Sequence, residues 1–184
     1  MRIGRWLSMG AVGALAACAS AATQIEQTSA IQLVDDKFRP ELEYATGTIE
    51  SANEIGVGRK RLLAHVDRKS GALLRFVLAF EIGYLDSGRR SYELANNASA
   101  KTLRMSKVIA KSHCDRQSRC TVIESYLIEI PEADLRAAPP DGYAIKLFAR
   151  NGPDAPIVVP KPWITALLAR VDADRAARAV AAKR

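Results

Sequence analysis

Histidine is scarce in this chain: His65 and His113 are the only two among 184 residues. Hydrolytic triads need an imidazole to orient and deprotonate a nucleophile, so the supply of candidate bases is thin. No serine lies in a nucleophile-elbow pattern either. Gly56-Val57-Gly58-Arg59-Lys60-Arg61 superficially suggests a phosphate loop. It lacks a third glycine, a lysine-serine pair and a following helical pattern, and reads as a turn leading into a basic strand. No internal repeat is visible. The longest apolar stretch, Trp6 to Ala17, is about a dozen residues, short of the roughly 20 that a helix needs to cross a bilayer. These absences leave little support for an enzyme, and neither a cofactor nor a metal is expected.

What is present starts at the N-terminus. Arg2 and Arg5 make a positive leader, the apolar stretch follows, and small residues close it, which is the layout of an export signal. Its last four residues, Leu15-Ala16-Ala17-Cys18, resemble the lipobox of bacterial lipoprotein precursors. The resemblance implies that 1–17 is a removed signal peptide and that Cys18 becomes the acylated N-terminus. More than one acyl chain would then give stable anchoring. Ala19 after the cysteine resembles the outer-membrane sorting pattern, which implies a protein facing the periplasm. An ordinary signal peptide with a chance cysteine is the alternative. Export also makes nucleic acid an unexpected partner, although the formal charge is +7.

With Cys18 set aside, Cys114 and Cys120 remain in the stretch His113-Cys-Asp-Arg-Gln-Ser-Arg-Cys120. An even pair in an oxidising compartment favours a structural disulfide. Redox thiols and a metal site are the other readings. The metal reading finds only His113 as a further ligand nearby, where zinc takes four. A bridge closing this polar loop would staple a hairpin and fix its register.

Residues 18–30 are small and polar and read as a flexible tether. Beyond them, period-two alternation dominates. Phe76, Leu78, Phe80, Ile82 and Tyr84 share one strand face, with Arg75 and Glu81 on the other. Leu62, Ala64 and Val66 precede them across a turn at 67–71, which predicts a hairpin. A second hairpin joins 103–111 to 120–130, with Val122, Tyr126, Ile128 and Ile130 facing one way. Tyr143, Ile145 and Leu147 make another strand, and Ile157 to Pro160 an apolar edge segment. After Pro162, Ile164, Leu167, Leu168 and Val171 recur at helical spacing. The expected fold is mainly β: an antiparallel sandwich of seven or eight strands over 31–172 with a C-terminal amphipathic helix. A small barrel is the alternative, and 173–184 reads as a helical or frayed tail.

Glu124 is the one carboxylate on the apolar face of its strand, so burial there would require a partner or a raised pKa. The basic residues Arg59, Lys60, Arg61, Arg89, Arg90, Arg116 and Arg119 fall at strand ends and turns, where they could gather into one patch. The functional expectation is a non-catalytic, lipid-anchored interaction or scaffold module with an envelope protein as partner. The alternative is a binder of an anionic envelope ligand (lipid phosphate, lipopolysaccharide or cell-wall polymer) through those basic loops.

Overall fold

The structure is a computed structural model that describes residues 28–53, 56–85, 90–114 and 120–181. In chain order the strands are β1 (Gln32–Val34), β2 (Glu41–Ala45), β3 (Ile49–Asn53), β4 (Gly56–Asp67), β5 (Leu73–Leu85) and β6 (Tyr92–Asn97). They continue as β7 (Thr102–Leu103), β8 (Met105–Cys114), β9 (Cys120–Ile130), β10 (Tyr143–Ala149) and β11 (Ala155–Val159). Helix α1 (Glu132–Arg136) lies between β9 and β10, and α2 (Lys161–Ala181) follows β11. The larger sheet runs β1-β2-β4-β5-β9-β8, with β3 pairing the first half of β4, and the smaller runs β11-β10-β6-β7.

Both sheets are antiparallel, so the expected sandwich with a C-terminal helix is the fold. Eleven strands are present among the described residues rather than seven or eight. The additions include β1 with 3 residues and β7 with 2, too short to show alternation in a sequence.

Alternation places the core. Leu62, Leu78 and Ile128 stand opposite one another on three adjacent strands, and none has exposed surface. Tyr143, Ile145, Leu147, Ile157 and Val159 of the smaller sheet join the same cluster, as do Trp163, Ile164, Leu167 and Val171 of α2. Helix α2 packs along β2 and β4. It covers the part of the large sheet that the four-stranded sheet leaves open. Its later turns are tied by ion pairs: Arg175 donates to both oxygens of Glu132 at 2.9 Å, and Arg178 Nε donates to Asp174 at 2.8 Å. Arg136 of α1 reaches Asp172 of α2 at 2.7 Å.

The chain jogs between β2 and β3, which lie end to end along β4. Thr46 fills the break. Its N–H donates to the Leu62 carbonyl at 3.0 Å, and its hydroxyl accepts the Leu62 N–H at 3.0 Å. The side chain thus replaces a ladder acceptor, as a buried N–H requires. The expected turn at 67–71 is present, with Gly71 at φ 70 and Asp67 accepting the Ser70 N–H at 2.7 Å.

Candidate functional site

The buried carboxylate expected from the pattern of β9 exists. Glu124 faces inward between Ile82 of β5 and Ala110 of β8, with 0% exposure. Its partner is Lys107, brought to the same face by a bulge. The register of β8 against β9 shifts between Lys107 and Ile109, leaving Val108 as the extra residue. Lys107 Nζ donates to Glu124 Oε1 at 2.6 Å, and its side chain is 34% exposed. The other carboxylate oxygen accepts the Tyr84 hydroxyl at 3.1 Å and the Ser91 N–H at 3.2 Å.

The surrounding phenols fasten the chain that leads into β6. Tyr84 Oη accepts the Arg90 N–H at 2.7 Å, and Tyr126 Oη accepts the Tyr92 N–H at 2.9 Å. Three successive backbone donors, at Arg90, Ser91 and Tyr92, are therefore satisfied by side chains of the opposite sheet. Ser91 sits at φ 48, a conformation that non-glycine residues adopt only when their surroundings enforce it. The Arg90 guanidinium stacks 4.6 Å from the Tyr84 ring, and the Tyr92 and Tyr126 rings meet edge to face at 5.8 Å. Burial pushes the Tyr84 phenol up to about 12, and the Glu124 charge pushes the same way. Burial likewise holds the Tyr126 phenol far above the ordinary value. Every bond described at the carboxylate goes to a protein donor. The cluster ties the 90–92 segment of one sheet to β5 and β9 of the other.

The other candidate residues are dispersed. Arg59 and Arg61 lie on the outer face of the large sheet, at 2.8 Å from Glu50 and 3.9 Å from Glu43. Lys60 lies between them in sequence and therefore points inward, where it donates to the Val158 carbonyl of edge strand β11 at 2.8 Å. Burial lowers its pKa. Arg90 is engaged with Tyr84 as described. Arg89, Arg116, Arg119 and the Cys18 anchor motif lie outside the described residues. His65 Nδ1 is 2.9 Å from Glu41 Oε2, which also receives Arg75 at 3.0 Å. His113 sits on exposed β8, opposite Thr121. Among the described residues no group of three or more His, Cys, Asp or Glu side chains is placed to hold a metal. Cys114 and Cys120 are disulfide-bonded and directly opposed at the end of the β8–β9 ladder.

Two features were not anticipated. A groove of about 280 Å³ opens on the outer face of the large sheet, floored by Ala79 and Leu127 and walled by Arg59, Arg61, Glu81 and Val108. Beside it runs β8, an edge strand of 10 residues, none of them buried. Val108 is 53% and Ile109 41% exposed. The sequence did carry a signal here. Lys107-Val108-Ile109 breaks the alternation, and two adjacent apolar residues in a half-exposed strand mark a bulge. Compared with models of protein families, with curated proteins and with solved structures, the chain has no significant match.

Proposed function

We propose that the protein is a lipid-anchored envelope module, held through Cys18 at the outer membrane and facing the periplasm, that docks a partner polypeptide without catalysing a reaction. The β8 edge carries this reading. An open edge strand is a template for a further strand, and most proteins blunt theirs. Two of the other edges are guarded: β11 by Pro156 and by Lys60 on the Val158 carbonyl, and β7 by its length of 2 residues. The β8 edge keeps Val108 and Ile109 in solvent, carries lysines only at 107 and 111, and draws one of those into Glu124. The disulfide and the adjoining groove supply what strand addition uses: a fixed edge for main-chain bonds and a recess for side chains.

A photoreactive residue placed at Ile109 in intact cells tests the reading. A discrete crosslinked partner at 109, absent from the same probe at exposed Leu94 and lost when Val108→Lys is added to the probed chain, is expected. Equal labelling at 109 and 94 would sink it. Mass analysis of the N-terminal peptide checks the anchor, with acylated Cys18 expected.

A further inference from the structure

We propose that the loop 35–40 and the neighbouring turn 67–71 form a seat for an anionic lipid surface, a reading that builds on the membrane-anchored function above. Phe38 is 86% exposed, more than any other large apolar side chain among the described residues. Its loop is firmly braced. Arg68 Nη1 donates to Asp35 Oδ1 at 2.6 Å, Nη2 to the Asp36 carbonyl at 2.6 Å and Nε to the Arg39 carbonyl at 3.1 Å. The Arg68 backbone N–H reaches the Pro40 carbonyl at 2.9 Å. Asp36 Oδ1 accepts the Phe38 N–H at 3.0 Å in an Asx turn that sets the tip. A fully buttressed loop is thus holding an aromatic ring out in water.

The charges around the ring are sorted. Asp35 is turned to Arg68, Asp36 to the loop and Arg39, and Asp67 to Ser70. Lys37 Nζ lies 5.2 Å from the Phe38 ring centre, the Arg39 side chain is 66% exposed, and Lys69 is exposed in the neighbouring turn, where its charge also acts on Asp67. Leu33 at 47% and Val34 at 44% exposure extend the apolar surface along β1. An aromatic tip, an aliphatic edge and a ring of cations match a bilayer interface. The ring enters the boundary between headgroups and acyl chains while the ammonium and guanidinium groups meet lipid phosphates.

The placement agrees with the anchor and with the docking edge. The described chain begins at Thr28, which receives the Gly47 N–H at 2.8 Å and the Trp163 indole at 3.0 Å. From there β1 runs back along β2 toward Phe38. That separation is about 20 Å for the six residues from Glu41 to Thr46. Ten residues separate Thr28 from Cys18 in number and reach at most about 35 Å, enough to bring an acyl group to the plane of Phe38. Strands β1 and β8 lie at opposite edges of the large sheet, five steps or about 24 Å apart. Seating the β1 side on lipid leaves β8 open to the aqueous side.

The test uses the mature chain 18–184 carrying Cys18→Ala, so that neither acylation nor the apolar signal plays a part, and compares it with the same chain carrying Phe38→Ser or Lys37→Glu with Lys69→Glu. Sedimentation with vesicles of phosphatidylethanolamine and phosphatidylglycerol, against vesicles of phosphatidylcholine, gives the readout. Phe38→Ser is expected to lower the apparent partition onto anionic vesicles about tenfold. The charge reversals are expected to lower it at least about tenfold and to remove its salt sensitivity. Leu94→Ser should leave it unchanged. Binding of Phe38→Ser equal to that of its parent, as a role for Phe38 in contacting protein requires, overturns the proposal. So does equal binding of the parent to both lipid compositions. An unacylated Cys18 in the natural chain would instead remove the anchor, while the vesicle comparison still decides the seat.

Discussion

Lys107 Nζ and Glu124 Oε1 are 2.6 Å apart on neighbouring strands, and the bulge at Val108 is what puts them on one face. Removing one member of such a pair leaves a buried charge without its counter-ion, which costs more than the pair itself contributes. Lys107→Met is expected to destabilise the fold by about 3 kcal/mol, the low end of the usual range because the lysine is partly exposed. Glu124→Gln, which keeps an acceptor for Tyr84 and Ser91, should cost less. Urea unfolding of both singles and the double measures their coupling, and additive effects would deny the pair its role.

The disulfide closes the far end of the same hairpin. Cys114→Ala with Cys120→Ala should lower stability by about 2 kcal/mol, the loop-entropy value for a short ring. Amide exchange in 109–114 should accelerate more than in β5. Uniform acceleration across the sheet would mean that the bridge acts only through the unfolded chain.

Glycine is required at 142. Its φ of 106 is strained for any residue with a Cβ, and a Cβ there would sit 2.3 Å from the Val159 carbonyl oxygen. Gly142→Ala is expected to cost about 2–3 kcal/mol, combining backbone strain with displacement of β11. Gly71→Ala meets the flexible end of Arg178 instead and should cost less. Thermal unfolding ranks the two, and the reverse order would refute this account.

Acid should loosen α2 through Glu132. Hydrogen bonds from Arg175, then from Arg136, hold its carboxyl down at about 2. A depressed folded pKa gives stability that is complete above the unfolded value and is lost as pH falls from about 4.5 through about 2. The side chain is 29% exposed, so about 1 kcal/mol is expected. Glu132→Gln should flatten the difference in midpoint between pH 6 and pH 3, and an unchanged acid limb would exclude this residue.

Trp163 has no exposed surface, and its indole donates to Thr28 Oγ1 at 3.0 Å. Trp163→Phe should cost about 2 kcal/mol through a smaller side chain and the loss of the indole hydrogen bond. A chain that unfolds at the same denaturant concentration as its parent would show that the N-terminal contact contributes nothing.

Much of this was legible in advance because a strand's side chains alternate by geometry. Phe76 to Tyr84 and Val122 to Ile130 could be assigned to one face before any strand was paired, and Glu124 stood out as the polar member of that set. Trp163 was passed over because it lies at the first turn of α2, one residue outside the apolar spacing that marked the helix. The partners of Glu124 were hidden for a different reason. Tyr84 and Ser91 lie 40 and 33 residues away, and Lys107 reaches the inner face only because one extra residue slips the ladder.

The sequence by itself determined the strand faces, the pairing of β4 with β5 and of β8 with β9, the cysteine pairing and the amphipathic start of α2. Each depends on neighbours within a few residues, where spacing and chemistry suffice. Tertiary structure alone decided which edges stay open, that Lys60 meets the Val158 carbonyl of the other sheet, and that Arg68 braces a loop some 30 residues earlier to present Phe38. Those outcomes depend on strand order and sheet stacking, long-range pairings that local alternation leaves undefined.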